Sequence, residues 1–214
     1  MNEKNYERLS ISVGRFITLD GVDGGGKSTQ VQRLQEWMLA QGKTCCTFRD
    51  PGSTRLGEAL RDILLHRHEI PLAAHAEMLL YMASRAQLVS ESLRPALAQY
   101  DYVITDRFLL ANVVYQGVAG GLSPEAVWQV GRVATGGLAP NLTIVLDLPV
   151  EVAAARIDRT RDRLESRGEE YFRLVRQGFL DQHQHAGGNS IVIDATQTAD
   201  QVHEQIVEAV RSEE

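Results

Sequence analysis

The sequence predicts an α/β fold built on a parallel, doubly wound sheet of five strands with helices on both faces. Three observations carry that prediction. Five short apolar, β-branched runs alternate with segments whose apolar residues recur three or four apart. The first run feeds a glycine-rich segment that leads straight into the first helical pattern. No internal repeat interrupts the alternation. Sheets of this kind hold their ligands at the carboxyl ends of the strands.

The elements follow in order. Arg15-Phe16-Ile17-Thr18-Leu19-Asp20 is the first strand, and Val31, Leu34, Trp37 and Met38 mark the helix beginning at Lys27. Gly42 closes that helix, and Lys43 to Arg49 reads as the second strand, broken by the turn residues Asp50-Pro51-Gly52-Ser53. Leu56, Leu60, Ile63 and Leu64 predict an amphipathic helix to about His66. Pro71 opens a longer one, striped by Met78, Leu79, Met82, Leu88, Val89 and Leu93, that runs to Leu97 with a bend. Asp101 to Asp106 is a buried strand ending in a carboxylate, and a helix is expected from Arg107 to Tyr115. After the loop from Gly117 to Gly121, Ser123-Pro124-Glu125 starts another helix. Leu142 to Asp147 and Ser190 to Asp194 are the last strands. Helices are expected from Pro149 to Arg159, along the stripe Tyr171, Phe172, Val175, Phe179, and along Val202, Ile206, Val207, Val210.

Between the first strand and its helix, Gly21-Val22-Asp23-Gly24-Gly25-Gly26-Lys27-Ser28-Thr29 fits the phosphate-binding pattern G-x-x-x-x-G-K-[ST]. Glycines let backbone N–H groups turn toward a polyphosphate, where a side chain at Gly24 or Gly25 is expected to crowd the anion. The helix starting at Lys27 adds its positive end. Lys27 is placed to reach the β- and γ-phosphates of a nucleotide, and the Ser28 hydroxyl to ligate Mg²⁺.

Composition bounds the rest. The 214 residues suit one domain at 15–214 behind a polar tail at 1–14, with 43% hydrophobic and 23% charged residues. A net charge of −6 argues against a protein that coats nucleic acid, and the chain shows no membrane span or signal segment. Cys45 and Cys46 are adjacent in a strand and point to opposite faces, so no structural disulfide is expected and the protein reads as cytoplasmic. The His66/His68 and His183/His185 pairs are read as solvent-facing and not as metal ligands.

Absences narrow the class of nucleotide-binding protein. No N-K-x-D or T-K-x-D element selects guanine, and no Leu-Ser-Gly-Gly-Gln segment is present. Asp106 is followed by Arg107, not by a second carboxylate that orients a hydrolytic water. Arg49 and Arg107 close strands beside turns, and Arg159, Arg161, Arg163 and Arg167 cluster in a charged segment. In an acidic chain that arrangement favours a second, phosphate-bearing substrate and transfer over hydrolysis.

At this point the residues resemble the bacterial thymidylate kinase family. The likeness runs from Phe16 nearly to the C-terminus through Phe16–Gly24, Arg49-Asp50-Pro51-Gly52-Ser53-Thr54, Arg85-Ala86-Gln87-Leu88-Val89, Asp106-Arg107-Phe108, Tyr115-Gln116-Gly117 and Ile193-Asp194-Ala195-Thr196-Gln197. The resemblance implies a P-loop nucleoside monophosphate kinase-like fold, phosphoryl transfer from ATP to dTMP with Mg²⁺, and a homodimer. It assigns Lys27 and Ser28 their P-loop roles, Asp23 to the acceptor's 3′-hydroxyl, Arg49 and Arg107 to its phosphate, and Asp106 to the metal and reacting phosphates. Tyr81 and Arg85 then read the base with Asn112 and Gln116, and Tyr115 crowds the 2′ position of the sugar. Val22 to Gly25 hold no basic residue, so the arginine that stabilises the transition state is assigned to a lid at 158–170, with Arg163 first and Arg159 and Arg167 as surface charges. Asp50, Tyr81, Ala111 and Gly120 depart from the family pattern, where Glu, Phe, Ser and Arg are common. The rival readings are a kinase for another nucleoside monophosphate or for a deoxynucleoside, and an ATP-binding sensor without turnover.

Overall fold

A computed structural model describes residues 14–156 and 167–213. The tail ahead of residue 14, most of the segment expected as a lid, and with it Arg159, Arg161 and Arg163, lie outside the described residues.

Five parallel strands form one sheet: β1 (Arg15–Gly21), β2 (Cys45–Arg49), β3 (Tyr102–Asp106), β4 (Leu142–Asp147) and β5 (Asn189–Asp194), in the order β2-β3-β1-β4-β5. The central strands β1, β3 and β4 are near-continuous apolar runs because both their faces are covered, while the edge strands β2 and β5 are partly exposed. Leu19, Val103, Ile104, Ile144 and Leu146 are fully buried. The helix α1 (Lys27–Ala40) packs on β1, β2 and β3 and touches α9 (Ala199–Arg211), which lies on β5. A second group, α4 (Arg94–Leu97), α5 (Leu109–Asn112) and α8 (Glu169–Gln182), packs against β3, β1 and β4. Register places the site: Leu19 pairs with Asp106 and Asp106 with Arg49, so the ends of β1, β2 and β3 open side by side.

Side-chain caps fix several helix starts, one of them the Ser123 start that the sequence predicts. The Thr54 hydroxyl accepts from Gly57 N at the head of α2 (Arg55–Leu65). Ser123 caps α6 (Pro124–Thr135), and Thr198 with Gln201 forms a reciprocal box at α9. The short α7 (Val150–Ala155) follows β4.

Two helices differ from expectation. The long one begins at Ala74, not Pro71, as α3 (Ala74–Leu88), and reaches Leu97 through wide, π-type turns at Val89–Leu93. There Arg94 N–H bonds back to Val89 O, next to Pro95, whose ring offers no N–H to a regular ladder. The helix expected from Arg107 starts only at Leu109, because Arg107 sits at φ 70 and Phe108 is extended. It then widens over Val113–Val118. That widening carries Tyr115 and Gln116, both buried.

Candidate active site

The phosphate loop is shaped by its own backbone. Gly24 has φ 80, and a Cβ there would stand 2.4 Å from Ala153 O of α7. At Gly25 the nearest atom to an added Cβ is Val22 O, at 3.0 Å. At Gly24 protein backbone thus already forbids a side chain, and at Gly25 it makes one tight, independently of any anion. Gly26, at φ 83 and with open space around it, is required by conformation and caps α1. Lys27 is not the solvated group its motif suggests: it is 7% exposed and donates to Val22 O at 2.8 Å, with Asp23 at 3.7 Å. Burial, then the nearby Arg107 cation, pull its ammonium below the usual lysine range.

Asp23 ties the cluster together. Arg107 Nη2 donates to Asp23 Oδ1 at 2.7 Å and to the Tyr115 hydroxyl at 3.2 Å, and that hydroxyl donates to Asp23 Oδ2 at 3.3 Å. Burial alone would raise the Asp23 carboxyl, but Arg107 and Lys27 outweigh it and hold the group well below the usual carboxylate range. The Arg107 guanidinium lies 5.0 Å from the centre of the Tyr115 ring. Its Nη1 is buried with no hydrogen-bond partner among the described residues. A positive φ on a non-glycine residue and an orphaned charged donor mark a position shaped for a ligand.

Two cavities meet at this cluster. One, about 330 Å³, is floored by the loop, with Lys27, Ser28 and Thr29 on one side and Arg49, Asp106 and Arg107 on the other. The second, about 90 Å³, is lined by Tyr81, Arg85, Asn112, Tyr115 and Gln116. Asp23, Asp50, Arg61 and Arg107 border both. Ser28 Oγ donates to Asp106 Oδ2 at 2.6 Å, so a hydroxyl and a carboxylate already share one point at the mouth of the loop. Such a pair of hard oxygens suits Mg²⁺, which keeps few protein ligands and several waters. No cluster of three or more His, Cys, Asp or Glu fit to hold a metal occurs among the described residues, and His183 Nδ1 instead meets Ser190 Oγ at 2.8 Å.

Arg85 is placed differently from a free base reader. It is buried, with Nε on Asp50 Oδ2 at 2.6 Å, Nη1 on Asn112 Oδ1 at 2.9 Å and on Met82 Sδ, and Nη2 on Phe108 O at 3.2 Å. A guanidinium has five N–H donors, so the hydrogen bonds to protein leave one for a ligand. Arg49 leans on Glu58 at 3.1 Å at the cavity's edge. Arg167 stays exposed, as expected of a surface charge, but its Nη2 reaches the buried Glu77 Oε2 at 2.6 Å.

The sequence reading passed over Arg61 and Glu77. Each sat on a readable stripe. Arg61 falls four residues after Gly57 and four before Leu65, both buried, and its guanidinium donates to Pro51 O. Glu77 precedes Tyr81 and Arg85 by four and eight residues, on one face of α3. A charged residue on an apolar face was the available signal.

A phosphate-binding loop at the end of β1, a second cavity beside it and cations on the shared wall define a P-loop kinase of the type that passes phosphate between two bound nucleotides. The family model described as thymidylate kinase matches residues 19–206. A thymidylate kinase of Rhodopirellula baltica is 48% identical over 193 residues, 90% of this chain and 78% of that protein. Thymidylate kinases of Kosmotoga olearia and Desulforudis audaxviator are 42% and 43% identical, covering 90% and 87% of this chain and 93% and 85% of theirs. The chain belongs to the thymidylate kinase family.

Proposed function

We propose that this protein transfers the γ-phosphoryl group of ATP to the phosphate of dTMP, giving dTDP and ADP. The observation that carries the reading is the shared wall: Asp23 and Arg107 border both the loop cavity and the cavity lined by Tyr81, Arg85, Asn112, Tyr115 and Gln116. Donor and acceptor phosphates would thus face each other across one arginine.

Phosphoryl transfer needs alignment and positive charge more than proton chemistry. The backbone of Gly21 to Thr29 cradles the donor phosphates, and Lys27 turns from Val22 O to the β–γ bridge. Arg107 and Arg49 take the acceptor phosphate. Mg²⁺, held by Ser28 and Asp106, would supply charge to the phosphate oxygens. Tyr81 offers a ring to the pyrimidine, Arg85 its remaining donor and Asn112 an amide. Tyr115 leaves no room for a 2′-hydroxyl. Arg163, outside the described residues, is the proposed transition-state arginine, carried by a lid at 158–170. The N-terminal 14 residues are assigned as a tail and 15–214 as the catalytic domain.

A homodimer is proposed on the apolar surface shared by the packed helices α3 and α6, where Leu79 and Val133 are exposed. Cytoplasmic residence is proposed on the two free cysteines, whose thiols burial pushes up to about 12 at Cys45 and about 11 at Cys46. No helix among the described residues is long and apolar enough to cross a membrane.

The test is ADP release with ATP, Mg²⁺ and each deoxynucleoside monophosphate in turn. Turnover is expected with dTMP, less with dUMP, and little with purine or ribose acceptors. Equal turnover of dCMP or dGMP would refute the base-site reading, and no ADP with any monophosphate would favour a sensor.

A further inference from the structure

A single hydrogen-bonded chain runs behind the acceptor cavity. Arg85 Nη1 donates to Asn112 Oδ1 at 2.9 Å, Asn112 Nδ2 to Gln116 Oε1 at 2.6 Å, and Gln116 Nε2 to Glu77 Oε1 at 2.9 Å. Arg167 Nη2 closes it on Glu77 Oε2 at 2.6 Å. The four inner members, Arg85, Asn112, Gln116 and Glu77, are all buried. Amides can turn over, exchanging donor for acceptor, but the ends of this chain cannot. Arg85 can only donate, and a carboxylate whose two oxygens both receive N–H groups can only accept. With opposite charges at its two ends, the chain has one sense: each amide oxygen points toward Arg85 and each amide nitrogen toward Glu77.

We propose that Glu77 is a positioning residue for substrate choice, fixing which face of Gln116 and Asn112 is donor and which is acceptor. This rests on the reading of the second cavity as the base site. Thymine presents acceptor, donor, acceptor along its pairing edge, and cytosine acceptor, acceptor, donor. An amide pair held in one sense distinguishes them, and one free to turn over does not. Glu77 never meets the base. Its partner Arg167 lies two residues ahead of α8, so the ion pair holds the far end of the chain from a separate segment. A carboxylate kept only for an ion pair has no need to be buried, because surface pairs form without desolvation.

The test compares wild type, Glu77→Gln and Glu77→Ala in the full-length chain, with dTMP and dCMP as acceptors and thermal unfolding measured alongside. Glu77→Gln keeps the shape but lets residue 77 offer either atom to Gln116 and removes the counterion of Arg167. Its dTMP KM should rise about tenfold and its preference for dTMP over dCMP in kcat/KM fall about tenfold, with the ATP KM and kcat within about twofold. Glu77→Asp, which retains the carboxylate one methylene shorter, should lose less. If both neutral variants keep dTMP KM and base preference within about twofold of wild type, the proposal is wrong. A rise in ATP KM alongside a fall in kcat and melting temperature would equally overturn it, because that pattern belongs to a structural ion pair. The isosteric Gln variant decides where Ala does not fold, and its own failure to fold would also overturn the proposal. Wild-type protein unable to tell dTMP from dCMP would defeat the base-site reading itself, whereas discriminating wild type with unaltered variants defeats only this inference.

Discussion

Replacing Arg107 with lysine keeps the charge and removes the fork. In the folded protein Nη2 serves Asp23 at 2.7 Å and the Tyr115 hydroxyl at 3.2 Å, while Nη1 is buried without a partner among the described residues and is the donor proposed for the acceptor phosphate. An ammonium is one point on a flexible stem and cannot hold Asp23 while presenting a second donor in a fixed direction. A hydrogen bond to a charged group contributes about 1.5–3 kcal/mol. Loss of the phosphate contact, with Asp23 still paired, should therefore cost about 2–3 kcal/mol of transition-state stabilisation, or roughly 30- to 150-fold in kcat/KM for dTMP. Lysine tolerates the positive φ of this position no worse than arginine, so the melting temperature should barely move. The assay is coupled ADP release at saturating ATP with dTMP varied, then the reverse. A kcat/KM within about threefold of wild type, or a loss falling on ATP as heavily as on dTMP, would refute the assignment of Nη1 to the acceptor phosphate.

Lys27→Ala should abolish measurable transfer while the chain still folds, since removal of such an electrostatic group costs about 3 kcal/mol or more of barrier; near-normal turnover in folded protein would end the P-loop assignment. Arg85→Ala strands the buried Asp50 carboxylate and should destabilise by about 3–5 kcal/mol, a fall on the order of 10 °C in melting temperature, whereas a change under 2 °C would show that Asp50 is not held by Arg85. Asp23→Asn tests the depressed Asp23 carboxyl through pH. Because its folded-state pKa lies below the ordinary 3.8, its contribution is fully present above that value and fades as acid protonates the unfolded chain first. The stability difference between wild type and Asp23→Asn in urea titrations should be flat from about pH 8 to 5 and shrink below about pH 4, and a difference that grew in acid would contradict the Arg107 pairing.

Much of this site was legible because its groups sit at the ends of regular elements. The loop from Gly21 to Thr29, Asp106 and Arg107 after β3, and Arg49 after β2 follow from strand patterns and the placement of ligands in open α/β sheets. The pairing of Leu19 with Asp106 and of Asp106 with Arg49 then brings them together. What escaped the sequence depends on partners far apart in it. That Arg85 is spent on Asp50, Asn112 and Phe108 cannot be read from a helical stripe, which gives its direction but not what waits there. The wide turns at Val113–Val118 have no propensity signature, yet they carry Tyr115 and Gln116. A further reason for Gly24 lies in α7, where Ala153 O stands 2.4 Å from any Cβ placed there, a neighbour far away in sequence.

An acidic chain that must bind polyanions has to gather cations before any anion arrives, and like charges do not gather unaided. After burial, the Arg107 cation is the next influence lowering the Lys27 ammonium, whereas Asp23 leads the charges that raise Arg107. Asp23 between them offsets that repulsion at 3.7 and 2.7 Å, just as Glu58 holds Arg49. These carboxylates hold the gathered cations together, but they are not equally replaceable. Glu58 is half exposed on an exposed arginine, so an arriving phosphate can take Arg49 from it at little cost. Asp23 is held from three sides, by Lys27, Arg107 and the Tyr115 hydroxyl, and Arg107 keeps Nη1 in reserve. An acceptor phosphate bound as proposed would add to Arg107 without displacing Asp23, whereas at Arg49 it would compete with a carboxylate. On the proposed reading, Arg107 would be the fixed reference for the acceptor phosphate, and Arg49 the arm that exchanges Glu58 for substrate.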